Sequence, residues 1–260
     1  MRKEAVFVSF FLVVSYCQAQ YPGQLFFSTP AQSDWWELSG ENFAPSRATM
    51  ERPSGESVSV ARLRHVPSRN ARRAFLRGLK DAQAGAPREA VREFERSVTF
   101  DPEFAEAHGN LGVEYTALGL LDEAVSALRR ALELDPATGV HHANLAYVLI
   151  RINREDEAER EAETAVDLDP SYAKGQFLLG FLLARRPQTR RLAAAHLADA
   201  ARQLPEAHFL LAEMYLDQGD SQIAAEELHR YQKAIQSRAD RKSTRLNSSH
   251  EFVSRMPSSA

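Results

Sequence analysis

The chain has 260 residues, of which 44% are hydrophobic and 26% charged, with a formal net charge of -3 and one cysteine. That is enough length to bury a core as one or two domains, and the composition excludes a collagen-like chain, a disulfide-stapled miniprotein and a multi-pass membrane protein. The small net charge argues against wholesale electrostatic capture of nucleic acid.

Residues 1–19 have the pattern of a secretory signal peptide. Arg2 and Lys3 precede an apolar run over residues 5–14, and the small residues Cys17 and Ala19 stand where a signal peptidase needs them. The run is shorter than the roughly 20 residues that span a bilayer, so we favour cleavage near Ala19 over an uncleaved anchor. We therefore predict an exported protein, periplasmic or extracellular, that meets the membrane only through this segment if it is uncleaved. The mature chain would have no thiol.

Residues 20–70 are rich in Pro, Ser, Gly and Gln and show no sustained period of 3.6 or 2 residues. This composition predicts a largely disordered linker, in which residues 57–63 could form one short strand. Both tryptophans, Trp35 and Trp36, lie in it. They are either a binding anchor or, as we favour, a pair that packs onto the first helices of the following domain.

A period of 34 residues governs the rest of the chain, because four sets of residues recur in one register. The sets are the Asp-Pro pairs at 101, 135 and 169; Gly78, Gly112, Ala146 and Gly180; Ala90, Ala124 and Ala158; and Gly85, Gly119, Asn153 and Gly219. Asp-Pro stops a helix and opens a turn, whereas Gly or Asn accepts the left-handed conformation in which helices often end. The two sets of small residues suit close helix crossings. Each unit is therefore predicted to be a pair of antiparallel helices.

The pattern resembles the tetratricopeptide repeat family. Residues 105–138 show it most fully, through His108, Leu111, Gly112, Tyr115, Ala124, Leu128, Ala131 and Pro136. We divide residues 71–239 into five units, 71–104, 105–138, 139–172, 173–204 and 205–238. Unit four has one extra residue in its inner turn near Pro187 and lacks about three before Pro205. The resemblance implies an all-α solenoid, a right-handed superhelix whose concave groove is lined by the first helix of each unit.

No catalytic motif accompanies the repeats. The chain has no G-x-x-x-x-G-K-[ST], H-E-x-x-H, G-x-S-x-G or G-x-G-x-x-G sequence. His108, His142 and His208 share one slot of their units, about 10 Å or more apart, which is too far to share a zinc ion. We interpret them as interhelical packing residues. We predict a non-enzymatic protein without cofactor or metal, which binds a protein or peptide and no nucleic acid or small-molecule substrate.

The resemblance also implies which side chains line the groove. Asn110 and Asn144 fall where some family members carry a ladder of asparagines that clamp a peptide backbone. Bonding within the groove wall is the equally weighted alternative. The full candidate set is Asn110, Asn144, Tyr147, Arg151, Lys174, Phe177, Phe181 and Arg185. It suits an extended peptide with an acidic or carboxylate feature. Some apolar residues of the inferred groove, among them Phe75 and Leu79, are alternatively interhelical core.

Residues 240–260 break the repeat pattern and resemble one reading frame of a sequencing adapter, so we predict a non-native tail on a chain truncated near Ala239. Two further hypotheses about function stay open. The protein is an envelope assembly component that binds through its convex face or linker, or it is the non-catalytic part of an enzyme whose downstream domain is missing.

Overall fold

The computed structural model describes residues 65–254, with side chains up to residue 237. The predicted signal peptide, the Trp35-Trp36 pair and the candidate strand at 57–63 lie outside the described residues. The helices are α1 (Arg69–Gln83), α2 (Pro87–Phe100), α3 (Ala105–Ala117), α4 (Leu121–Leu134), α5 (Gly139–Arg151), α6 (Glu155–Leu168), α7 (Ala173–Ala184), a 3₁₀ helix (Pro187–Thr189), α8 (Arg190–Ala201), α9 (Glu206–Gln218) and α10 (Ser221–Ser254). The described residues contain no strand, which confirms the all-α prediction. None of their helices is both long and apolar enough to cross a bilayer.

The Asp-Pro pairs end the second helices as predicted, and the aspartates also build the turn that follows. Asp101, Asp135 and Asp169 directly follow α2, α4 and α6. Each side chain accepts a hydrogen bond from the amide two residues further on, at 3.3, 3.3 and 2.9 Å. An Asx turn of this kind replaces the helical hydrogen bonds that proline prevents, so the chain reverses at the same place in units one to three.

The predicted left-handed residues end the first helices. Gly85, Gly119 and Gly219 have φ of 71°, 77° and 87°, and Asn153 has 60°, so this prediction is confirmed at all four positions. Unit four uses a 3₁₀ helix instead, between α7 and α8. The shortening that we expected before Pro205 lies in the helix rather than in the junction, since α8 has 12 residues where α2, α4 and α6 have 14. Four residues separate α8 from α9, as they separate α6 from α7.

The small residues of the first helices stand where the second helix crosses most closely. A Cβ atom added to these glycines would lie 2.7 Å from the Phe94 ring at Gly78, 2.5 Å from Leu128 Cγ at Gly112 and 2.7 Å from Leu197 Cγ at Gly180. In unit three the equivalent positions are Ala146 and Ala162, both fully buried. A larger residue on the first helix is thus matched by a smaller one on the second, which keeps the crossing filled.

The helices form two layers. The first helices of units two to five contact one another in series, α3 with α5, α5 with α7 and α7 with α9. Each second helix packs mainly between the first helix of its own unit and that of the next. The first helices therefore form the inner layer of a solenoid. One buried cluster runs from Ala124 to Met214 across units two to five, while two smaller clusters around Phe94 and Phe104 join units one and two.

Candidate peptide-binding groove

The two asparagines of the candidate set differ in what they contact. Asn110 is only 7% exposed, and its amide donates to the carbonyl oxygen of Glu106, one turn earlier in α3, at 2.7 Å. Asn144 occupies the equivalent position of α5 but is half-buried, and its side chain makes no hydrogen bond within the described residues. For Asn110 the structure therefore supports bonding within the groove wall. Asn144 keeps an amide that can both donate to and accept from a ligand.

The two candidate arginines lie four residues after an aromatic ring in consecutive units. The Arg151 guanidinium is 6.0 Å from the centre of the Tyr147 ring, and that of Arg185 is 5.8 Å from the Phe181 ring. An exposed cation–π contact of this kind is worth about 0.5–1 kcal/mol. It also holds each long side chain along its own helix.

Both arginines also reach back to the preceding unit. Arg151 donates from Nη1 to the carbonyl oxygen of Thr116 at 2.9 Å, and Arg185 pairs with Glu155 at 3.0 Å. Through these bonds and the ring contacts, each side chain links its own unit to the preceding one. Their positive charge is largely neutralised or hydrogen-bonded by the protein itself, so they contribute less to ligand recognition than the sequence indicated.

The remaining candidates lie on α7. Leu178, Leu179, Leu182 and Leu183 are buried, whereas Lys174, Phe177 and Phe181 are half-buried. Burial lowers the pKa of the Lys174 ammonium to about 8, because removing the charged form from water is unfavourable. The accessible surface of this helix is therefore partly aromatic and partly cationic.

Part of the inferred groove is interhelical core, as the alternative predicted. The Phe75 ring lies 5.6 Å from that of Phe94 and 4.8 Å from that of Phe104, and Leu79 is 8% exposed. Thr116 is buried too, and its hydroxyl donates to the carbonyl oxygen of Gly112 at 2.7 Å. The half-buried candidates that remain open to a ligand therefore concentrate in units three and four.

Two of the three histidines, His142 and His208, join the two helices of their units. His142 lies 2.7 Å from the carboxylate of Glu161 on α6 and 3.0 Å from the carbonyl oxygen of Pro136. Burial opposes the charged ring, but these hydrogen bonds outweigh it and raise the pKa of His142 above its ordinary value. His208 pairs in the same way with Glu227, at 2.6 Å. These contacts support the interhelical packing role for His142 and His208, whereas the His108 ring makes its hydrogen bond to the Pro102 carbonyl oxygen, at 3.1 Å. Residues 65–237 contain no group of three or more side chains that could hold a metal ion.

One buried charge was missed by the sequence analysis. Glu114 of α3 is only 6% exposed, and burial raises the pKa of its carboxyl to about 7. The equivalent positions of later units hold Val148, Leu182 and Met214, which are all buried. Comparing residues 34 apart would have found it, because an acidic residue stands in an otherwise apolar column.

Two tetratricopeptide repeat family models match the chain, at residues 105–137 and 142–172. These two segments are therefore tetratricopeptide repeats, which supports a scaffold for protein–protein interaction, a role in which this fold is typically non-catalytic. Among solved structures of the same fold, MamA from Desulfovibrio magneticus RS-1 is 20% identical (TM-score 0.56, 66% of this chain and 98% of that one). A thermophilic repeat protein of Thermus thermophilus is 23% identical (0.53, 68% and 99%), and so is PilW, described as a type IV pilus biogenesis factor (0.59, 65% and 79%). Curated protein sequences give no significant match.

Proposed function

We propose that the protein is an exported scaffold that binds an extended peptide, or an extended segment of a partner protein, in the groove of units three and four. We define this groove by Asn144, Lys174, Phe177 and Phe181. The observation that carries the proposal is the contrast between the two asparagines. Asn110 is bonded within its own helix, whereas the half-buried Asn144 has no hydrogen bond within the described residues.

The groove offers three kinds of contact to a peptide. The Asn144 amide can accept from a peptide N–H and donate to a peptide carbonyl at once, which fixes an extended backbone in register. Phe177 and Phe181 offer apolar surface for alternate side chains. Lys174 favours an acidic side chain or a terminal carboxylate, since an ammonium attracts a carboxylate more strongly in a partly desolvated place than in water. Tyr147, Arg151 and Arg185 hold the neighbouring wall.

The asparagine contrast supplies a matched test. A peptide is selected from a random phage-displayed library on the wild-type protein and its affinity is measured by calorimetry. Asn144→Ala should weaken it about tenfold, the loss of a hydrogen-bonded amide in a partly buried site. Asn110→Ala makes the same chemical change but should leave the affinity within about twofold, because that amide serves its own helix.

A groove ligand must also depend on the apolar contacts, so Phe177→Ser is measured beside the asparagine variants, with thermal unfolding as the check on folding. If Asn144→Ala and Phe177→Ser bind the peptide as tightly as wild type, the ligand lies elsewhere. Binding through the convex face or the linker would then replace the groove proposal.

Export is the second part of the proposal, and the pattern of residues 1–19 supports it. Expression of the gene with its own N-terminus in a secreting host should give a mature chain that begins near Gln20. N-terminal sequencing that finds Met1 on the exported or cell-associated protein would contradict cleavage.

A further inference from the structure

One exposed side of α1 carries positive charge, whereas equivalent positions of later first helices are buried. Arg69, Arg73, Leu76 and Lys80 recur at intervals of four, three and four residues, which places them on one side of a helix. All four are exposed, and Leu76 is exposed by 43%. Ala107, one repeat after Arg73, and Val148, two repeats after Lys80, are both buried. We call these four residues the α1 face.

The charges of the α1 face are not balanced by the repeats. Neither Arg69, Arg73 nor Lys80 forms an ion pair within residues 65–237, although neighbouring Arg77 pairs with Glu93 at 2.7 Å. The first turn of α1 contains no acidic residue, whereas Arg69 and Arg72 stand there. A positive side chain at this end of a helix is unfavourable, because the helix dipole is positive there too. Such a conflict with a local rule is expected where a surface binds something.

The same chain contains a segment of opposite character. Residues 34–41, Asp34-Trp35-Trp36-Glu37-Leu38-Ser39-Gly40-Glu41, carry three carboxylates, two indoles and no basic side chain. The 27 residues from 42 to 68 separate this segment from α1. Fully extended they would span about 90 Å, against a length of about 22 Å for a helix of this size, so every part of the α1 face is within reach.

We propose that residues 34–41 dock on the α1 face and cover the open end of the solenoid. The carboxylates lie against Arg69, Arg73 and Lys80, and the indoles cover Leu76 and the flat guanidinium groups. Each exposed ion pair contributes little alone. Tethering compensates, because a short connection places the segment at an effective concentration of about millimolar. Solenoids need a terminal cap, and this segment supplies one independently of any ligand in the groove.

Tryptophan fluorescence of the full chain tests the proposal directly. Trp35 and Trp36 are the only two tryptophans, so emission wavelength and acrylamide quenching report on this segment alone. In the wild type we expect shielded indoles at low salt that become exposed as sodium chloride screens the ion pairs. The double variant Arg73→Glu/Lys80→Glu should lower the docking equilibrium constant about tenfold and shift the emission towards that of a free peptide.

A matched variant separates docking from a change in net charge. Arg191→Glu/Lys233→Glu also replaces one arginine and one lysine, both exposed and without an ion pair within residues 65–237, on helices other than α1. It should leave the emission unchanged. Adding Asp34→Lys/Glu37→Lys to Arg73→Glu/Lys80→Glu should restore shielding, since the charges are then exchanged. Circular dichroism checks that each variant is folded.

Four results would overturn the proposal. The wild-type indoles are as exposed as in a free peptide at low salt, or they are shielded but do not respond to Arg73→Glu/Lys80→Glu. Shielding that increases with protein concentration would assign the α1 face to the segment of a second copy. Binding of phosphatidylcholine–phosphatidylglycerol vesicles that requires Arg73 and Lys80 while the indoles stay exposed would assign it to a membrane.

Discussion

Gly112→Ala tests whether the repeat stack depends on matched volumes at each helix crossing. The added Cβ would lie 2.5 Å from Leu128 Cγ and 3.2 Å from the carbonyl oxygen of Ala124, while Leu128 is fully buried. In open space the change would stabilise α3 by about 1 kcal/mol, because alanine has the higher helix propensity. Overpacking costs about 1–3 kcal/mol, so we expect a net loss of about 1 kcal/mol.

A double-mutant cycle with Leu128 tests the same idea, because shortening Leu128 makes room for the added Cβ at position 112. Leu128→Ala alone removes a fully buried side chain and should cost about 2–5 kcal/mol. Gly112→Ala/Leu128→Ala recreates the Ala146–Ala162 pair of unit three. The methyl group added on α3 then fills part of the cavity left on α4. The double variant should therefore be more stable than the sum of the two single effects by about 1–2 kcal/mol.

Urea unfolding followed by far-ultraviolet circular dichroism gives the free energy of unfolding of each variant, provided that its dependence on urea concentration (the m-value) is the same for all of them. Gly175→Ala is the matched control, since a Cβ there meets its nearest atoms at 3.5 Å, an ordinary contact distance. It should be neutral or slightly stabilising. Additive single effects, or a Gly112→Ala protein as stable as wild type, would refute volume matching as the reason for glycine at this position.

Three further predictions follow from single positions. Glu114→Gln should be more stable than wild type at pH 7 by up to about 3 kcal/mol and equal to it near pH 4 in urea titrations. The reason is that wild type loses stability as pH rises from the ordinary carboxyl pKa to about 7, since only its unfolded state ionises freely. Gly119→Ala, with φ of 77°, should lower the free energy of unfolding by about 1–2 kcal/mol, whereas Asn153→Gly should change it by only a few tenths, both measured by thermal unfolding. The pKa of His142 is raised in the folded protein, so its protonation stabilises the fold fully below the ordinary histidine pKa, and this stabilisation is lost as pH rises through the folded pKa. His142→Gln should remove this pH dependence of the free energy of unfolding. It keeps a hydrogen-bond donor, since Gln176 at the equivalent position of the next unit donates to the Pro170 carbonyl oxygen at 2.8 Å.

The turns could be predicted from the sequence because their causes are local. Asp101 needs only an amide two residues ahead to build its Asx turn. Gly119 and Asn153 need only the freedom to adopt a positive φ. Each requirement is met within a few residues of chain, so a one-dimensional pattern contains it. The same holds for unit four, where one inserted residue near Pro187 converts the turn into a 3₁₀ helix.

The groove could be predicted only as a region, because its side chains have competing partners. Asn110 and Asn144 occupy the same position of consecutive helices, yet one is buried against its own backbone and the other is half-exposed. Nothing in the spacing distinguishes them. Arg151 and Arg185 look like ligand-binding cations in the sequence, but each finds a partner in the preceding unit. Contacts across about 30 residues decide this, and they exist only once the units have stacked.

Residues 34 positions apart share a place in the repeat but not an environment, and this difference decides what can pack against α1. Lys80 and Glu114 occupy the same position of consecutive units, yet Lys80 is exposed on α1 whereas Glu114 is buried on α3. A further unit packed on α1 would bury Lys80 and Arg73 together, and desolvating unpaired charges costs several kcal/mol for each ion. We therefore expect the α1 face to disfavour a further unit at this end. The same argument explains the kind of cover that we propose for it, since only a segment that brings its own carboxylates can lie there without leaving buried cations unpaired.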